Sequence, residues 1–297
     1  MKGQLRLLHQ GLAPYAQPFS PEEAQPLLPP GMTQAQGEVA PASADMPFMR
    51  FALPTGDTTV TLCGAATSSL DVAHALAQRG MLNVWDSVLC ASQTSGRGQL
   101  RRPWQSPPGN IYAALRLPLG EAFDTEGASV LVGTMLAHAF NDCGIPVRLK
   151  WPNDLLLHDG KCGGILLEER NHVLLAGIGI NVISSPPREQ LREGCAALAT
   201  DLSSNGYNLS PMALWAQLVK LGGFWYQALI ARTGGVAWHH MAGQYLAWVG
   251  REVWVDGELD GRPGRIAGID ASGGLRLRIG DHEHVIRSGS IMPSKPS

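Results

Sequence analysis

SGRGQLRRPWQSPPGN, running from Ser95 to Asn110, sets three arginines and three glycines between two apolar runs. Val88–Ala91 (VLCA) before it and Ile111–Leu117 (IYAALRL) after it read as strands, so the segment is a strand–loop–strand connection. Glycine at 96 and 98 lets the backbone approach a ligand closely, and the Arg97 guanidinium presents donors in a fixed fork. That combination suits an anion. The spacing is neither that of a P-loop nor that of a dinucleotide fingerprint, since both need a helix directly after the glycines.

The 297 residues suffice for one large domain and a smaller one. Apolar residues make up 44% and charged residues 16%, so the core is ample although charge is sparse. A formal net charge of −2 gives no bulk attraction to nucleic acid or to an anionic membrane, and any polyanion site must be local. The five cysteines, Cys63, Cys90, Cys143, Cys162 and Cys195, contain no C-x-x-C pair. They argue against a disulfide framework and a structural zinc site, and for a reducing compartment. The N-terminal MKGQLRLLHQGLAP has too short an apolar run for a signal peptide, and no stretch approaches the ~18 apolar residues of a membrane span. The expectation is a cytoplasmic protein with no membrane or nucleic-acid partner and no metal ligands of its own.

Residues 10 to 58 are rich in Pro, Gln and Ala and show no sustained period, so they read as an irregular extension. Ser68 or Ser69 caps a helix over Asp71–Arg79 that ends at Gly80. A longer helix covers Glu126–Asp142, with Leu131, Val132, Met135, Leu136 and Ala139 at helical spacing. Val147–Lys150 alternates like a strand, and Gly164–Glu168 with Val173–Ile180 reads as a hairpin. Ser210–Pro211 opens a further helix whose apolar face runs through Leu214, Leu218, Leu221, Trp225 and Leu229. Beyond about Ala247 short β segments alternate with the turn dipeptides Asp256–Gly257, Asp260–Gly261 and Gly273–Gly274, the pattern of a small β-barrel. The expected division is an extension over 1–62, a catalytic domain over 63–246 and a β domain over 247–297.

Two further blocks carry chemistry. In KWPNDLLLHDGKCGGILLE (Lys150–Glu168) a strand enters a turn through Trp151–Pro152 and returns through Lys161, which would aim Lys150, Asp154 and Lys161 at a shared space. GIGIN (Gly177–Asn181) puts glycines inside a strand, a sign of close approach by a ligand or another backbone. On the residues alone Asp154 is equally an Asx-turn residue, Lys150 a structural ion-pair partner, Lys161 an exposed turn lysine and Trp104 a core aromatic. His239 and His240, adjacent on a helix, are expected to point apart at the surface. His138, Cys90 and Cys162 are expected to pack.

In their order and spacing, GRGQLRRPWQSPPGN, KWPND…KCGGILLE, GIGIN and the β-rich tail resemble the biotin protein ligase family over about Cys63–Ile291. The resemblance implies an α/β (α+β) fold, a mixed-sheet catalytic domain of the biotin/lipoate ligase type with a small C-terminal β-barrel. It implies that biotin's carboxylate attacks the α-phosphate of ATP, accompanied by Mg2+, giving biotinyl-5'-adenylate. A lysine of a biotin carboxyl carrier domain of a biotin-dependent carboxylase then takes the biotin. Cations must offset the repulsion between carboxylate and triphosphate. The resemblance assigns that work to Arg97, Lys161, Lys150 and Asp154. It places Ser69, Gln93, Gly96, Gly163, Gly164, Leu166 and Gly177 around biotin, and Arg97, Arg102, Trp104, Asn153 and Asn181 around the nucleotide. Homodimerisation is left open.

Three positions depart from the family pattern. Gln99 stands where an arginine is usual, Arg101 where a glycine is usual, and Leu70 where an asparagine is usual. One lost charge-assisted contact is worth about 1.5–3 kcal/mol, so Gln99 implies a more readily released adenylate. The alternatives are a lipoate or octanoate transferase on the same scaffold, and a non-catalytic biotin-binding regulator.

Overall fold

A computed structural model describes residues 3–8, 12–18, 27, 38–40, 48–53, 58–120, 123, 126–190, 197–228, 238–255 and 262–293. Its strands in chain order are β1 (Gly3–Leu8), β2 (Glu38–Ala40), β3 (Phe48–Leu53), β4 (Thr59–Ala66), β5 (Ser87–Gln93), β6 (Ile111–Leu117), β7 (Val147–Lys150) and β8 (Asp154–Leu157). They continue with β9 (Gly160–Arg170), β10 (Val173–Ile180), β11 (Glu252–Val255), β12 (Gly264–Ile269), β13 (Leu275–Ile279), β14 (His282–Ile286) and β15 (Ile291–Met292). The helices are α1 (Ser69–Gln78), α2 (Ala128–Asp142), α3 (Pro211–Tyr226) and α4 (Trp238–Tyr245). The chain divides into two compact units, one of Met1–Leu119, Ile165–Ser184 and Asp201–Lys220, the other of Gly120–Gly164, Ser185–Thr200 and Leu221–Ser297.

The first unit is a mixed sheet in the order β2-β3-β1-β4-β5-β6-β10. β1 runs antiparallel to β3 and parallel to β4, β4 runs parallel to β5, and β6 is antiparallel to both β5 and β10. The near-continuous burial of β4 and β5 fits a parallel pair covered on both faces. A parallel pair needs a crossover, and α1 supplies it. Ser68 is its cap, its Oγ accepting the Leu70 N–H at 3.3 Å. Leu70, Val72, Ala73 and Leu76 of α1 pack on Cys63, Val88, Cys90, Ala114 and Leu175 of the sheet.

In the second unit β7, β8 and the start of β9 form an antiparallel set, with α2 packed on β7 and α4. Gly127 precedes α2 because a Cβ there would lie 2.4 Å from the Ser272 carbonyl oxygen. The C-terminal strands form a five-stranded sheet in the order β14-β13-β12-β11-β15.

Three expectations are corrected. The C-terminal sheet is antiparallel as read, but it is open rather than a closed barrel. Its ends are β14, exposed along four of its five residues, and the two-residue β15, and they do not pair with each other. The Pro-rich extension is not irregular throughout, since 38–40 and 48–53 form strands on the β1 side of the first unit's sheet. His239 and His240 do not point apart, their ring centroids being 4.1 Å from each other. Cys195, Leu229 and the turns at 256–257 and 260–261 lie outside the described residues.

Candidate active site

Lys150, Asp154 and Lys161 come together within the second unit. Lys150 closes β7 and stands directly opposite Asp154 of β8, and its Nζ donates to Asp154 Oδ2 at 2.8 Å. Lys161 reaches the other oxygen, Oδ1, at 2.5 Å. A β-bulge makes this second contact possible. Leu155 pairs with Gly163 but Leu156 pairs with Lys161, so Cys162 is an extra residue in β9. In uninterrupted register Lys161 would face Leu157 and point away from Asp154, because strand side chains alternate between faces. The bulge returns it to the face of Leu156 and Asp154. Burial pushes the Asp154 carboxyl up, and the charges and hydrogen bonds of Lys161 and Lys150 more than reverse this, holding it below the usual carboxylate range. The cluster is therefore one carboxylate shared by two ammonium groups, with net positive charge. Gly163 and Gly164 follow the bulge opposite Leu155 and Asp154, and Asn153 lies in the turn between β7 and β8. Cys162 itself is wholly buried, with its thiol pushed up to about 12 chiefly by that burial, so it packs rather than reacts.

The first unit gathers the other candidates. The Gly/Arg loop is a small hairpin, closed by Gly98 N–H to the Arg102 carbonyl at 2.7 Å and Trp104 N–H to the Gly96 carbonyl at 2.9 Å. Gly96 is required by this closure, since a Cβ would lie 2.5 Å from the Trp104 carbonyl oxygen, whereas the same atom at Gly98 would meet nothing nearer than 3.6 Å. At the exposed tip Leu100 (φ 55°) and Arg101 (φ 57°) both take the left-handed backbone, and Arg102 is exposed beside them. Gln93 ties three elements together. Its Oε1 accepts the Ser69 N–H at 2.8 Å, and its Nε2 donates to Ser106 Oγ at 2.9 Å. Ser69 is thus the buried first residue of α1 and not its cap.

Arg97 lies on Asp71, with Nη1 on Oδ2 at 3.0 Å and Nη2 on Oδ1 at 2.8 Å. Its Nη2 is 3.7 Å from Glu168, whose other oxygen meets Arg170 at 2.7 Å and His74 at 3.2 Å. Burial raises the Asp71 carboxyl, but hydrogen bonds from Arg97 and Thr67 outweigh it and hold the group ionised. Burial keeps His74 neutral by lowering it from the usual imidazole range, against the pull of Glu168.

On β10, Gly177 faces Leu70 and Gly179 faces the Trp104 ring: a Cβ would come within 2.9 Å of Leu70 Cδ1 and 2.5 Å of Trp104 Cε2. Leu166 packs against the same apolar core. Asn181 is 4% exposed, and its carbonyl accepts the Leu202 N–H. Sequence reasoning missed Asn110, whose Oδ1 accepts the N–H groups of Val182, Ile183 and Ser184 at 2.8, 2.9 and 3.3 Å and so fixes the segment after GIGIN. It also missed Asp71 and Glu168. The signal for Asn110 was its place at the end of PPGN, a buried amide just before an apolar strand.

The family model of the Biotin/lipoate A/B protein ligase family matches residues 63–183. The biotin–[acetyl-CoA-carboxylase] ligase of Paracoccus denitrificans is 31% identical over 219 residues, which cover 69% of this chain and 88% of that protein. The bifunctional ligase/repressor BirA of Escherichia coli is 34% identical over 151 residues, 48% of this chain and about half (46%) of that protein. Among solved structures, a biotin protein ligase from Aquifex aeolicus in complex with biotin and ATP superposes with a TM-score of 0.63 at 23% identity, over 78% of this chain and 97% of that one. The fold is therefore shared with a solved ligase, and the sequence match runs through nearly nine-tenths of the Paracoccus relative. The chain belongs to the biotin protein ligase family.

Proposed function

We propose that this chain joins biotin to ATP, releasing pyrophosphate and forming biotinyl-5'-adenylate, and then transfers the biotin to a lysine of a biotin carboxyl carrier domain. Residues 63–246 act as the catalytic domain and 247–297 as a smaller accessory domain. In the first step a carboxylate oxygen bonds to the α-phosphorus as the bond to pyrophosphate breaks. In the second the carrier amine attacks the mixed anhydride, an amide forms and AMP leaves. The observation that carries this reading is the Lys150–Asp154–Lys161 cluster, two ammonium groups on one carboxylate, whose more exposed member, Lys161, is open to solvent. Lys161 counters charge on the α-phosphoryl oxygens, while Asp154 and the buried Lys150 fix its direction. Arg97 receives an oxyanion of the substrates, Gln93 and Ser69 shape the biotin pocket, and Trp104 over Gly179 shelters the nucleotide.

Mg2+ would enter with the ATP phosphates rather than sit in an all-protein cage. The one carboxylate of the cluster is taken by two lysines, and no group of three His, Cys, Asp or Glu side chains among the described residues is placed to hold a metal. No helix among them is long and apolar enough to cross a membrane, and the proposed site of action is the cytoplasm.

The test is acid-dependent ATP–pyrophosphate exchange followed by transfer to a carrier domain. Biotin should support both, lipoate and octanoate neither, and Lys161→Ala should abolish exchange. Exchange with lipoate or octanoate but not biotin would overturn the assignment, as would its absence with every acid.

A further inference from the structure

We infer that Asp71 is a positioning residue for the ligase reaction, taking the terminal edge of the Arg97 guanidinium so that its side edge is left for a substrate oxyanion. The inference rests on the reading of Arg97 as an oxyanion contact. A guanidinium has five N–H donors in a rigid fork. Asp71 uses one from each terminal nitrogen, at 3.0 and 2.8 Å. The Nε of Arg97 is buried and has no hydrogen-bond partner. Nε and Nη2 form the side edge, and Glu168 is 3.7 Å from Nη2, beyond hydrogen-bond distance, and is drawn off through its other oxygen to Arg170 and His74. An ionised donor buried without an acceptor is costly, so the arrangement is complete only when an anion adds to that edge.

Asp71 is itself fixed. It sits in the first turn of α1, where the helix dipole favours a carboxylate, and Thr67 Oγ1 donates to its Oδ2 at 2.9 Å. A loop arginine held this way has its rotamers ordered before substrate arrives, which is the usual source of gain from preorganisation. Asp71 thereby ties the Gly/Arg loop to α1, two segments separated by more than twenty residues.

The experiment uses the full chain, biotin-dependent ATP–pyrophosphate exchange and thermal unfolding. Asp71→Asn, which keeps the shape and removes the charge, should lower kcat/KM for biotin at least tenfold, mostly through KM, while the protein still melts in one transition at only a slightly lower temperature. Asp71→Glu should recover part of the loss. In an Arg97→Lys background, Asp71→Asn should change kcat/KM less than threefold. If Arg97→Lys alone leaves exchange intact, the reading of Arg97 fails and this inference with it. If Arg97→Lys is crippled while Asp71→Asn matches or exceeds the parent, Asp71 competes with substrate or stands aside, and only the positioning role is overturned. Thr67→Val, which loosens the carboxylate without removing it, covers the case in which Asp71→Asn does not fold. A loss of about threefold supports the role, and none overturns it.

Discussion

Lys150 and Lys161 hold the same carboxylate from different surroundings, the first 5% exposed and the second 31%. Breaking a buried ion pair leaves an uncompensated charge and costs about 3–5 kcal/mol, whereas an ion pair open to water is worth about 0–1 kcal/mol. Asp154→Ala, which strands the Lys150 ammonium, should therefore destabilise the protein by about 3–5 kcal/mol. Lys161→Ala leaves the Lys150–Asp154 pair in place and should cost less than about 1 kcal/mol while abolishing exchange. Urea unfolding of the two variants checks the contrast, and similar losses of stability would show that Lys161 is as structural as Lys150. The sequence offered both lysines as candidates without separating these roles. Neither residue type nor spacing reports that one ammonium is enclosed and the other reachable.

Among the elements, β5, β6, β7, α1 and β10 were legible because each carries a local period or cap that packing did not override. Elements held by distant pairing were not. The bulge at Cys162 is a property of two strands' register, so K-C-G-G could not announce which face Lys161 would take. β3 pairs with β1 and β2 with β3 despite the Pro-rich surroundings, because neither stretch, EVA or FMRFAL, itself contains a proline that would remove a ladder donor. A closed barrel was inferred from turn spacing, but closure depends on how the last strands meet the first. The glycines of GIGIN were read as close approaches and are so, but of unequal kinds. At Gly177 the obstacle is the end of a leucine, which can turn aside, whereas at Gly179 it is a flat indole. Gly179→Ala should cost about 1–3 kcal/mol by overpacking, and by moving Trp104 should raise the KM for ATP about tenfold, since ~1.4 kcal/mol is one decade. Gly177→Ala should be close to neutral in stability, its small repacking offset by about 0.4–1 kcal/mol of lost unfolded-chain freedom. Chemical unfolding and exchange kinetics read both; equal costs at the two sites would refute the placement of Trp104.

Among the described residues the perturbed histidines and carboxylates share one sense of pH dependence. His74 and His138 are both buried and both pulled below the usual imidazole range by that burial, opposed by Glu168 and Asp142 respectively. As pH falls through about 6.5 the unfolded chain takes up protons that the folded chain declines, so folding stability drops. Asp71 and Asp154 are held below the carboxylate range, so their contribution is complete above about pH 3.9 and is lost as pH falls toward their folded values. Neither pair offers stability on the acid side that would offset the other. The protein should therefore lose stability steadily from pH 7.5 to 5.5, by no more than about 1.4 kcal/mol per pH unit for each histidine, and more steeply below pH 4. Replacing both histidines by glutamine should flatten the upper part of this profile and leave the lower part, which belongs to the carboxylates. Unfolding free energies measured at half-unit intervals decide the matter: a flat or rising profile between pH 7.5 and 5.5 in the parent protein would mean that the two imidazoles are charged, or exposed, in the native state.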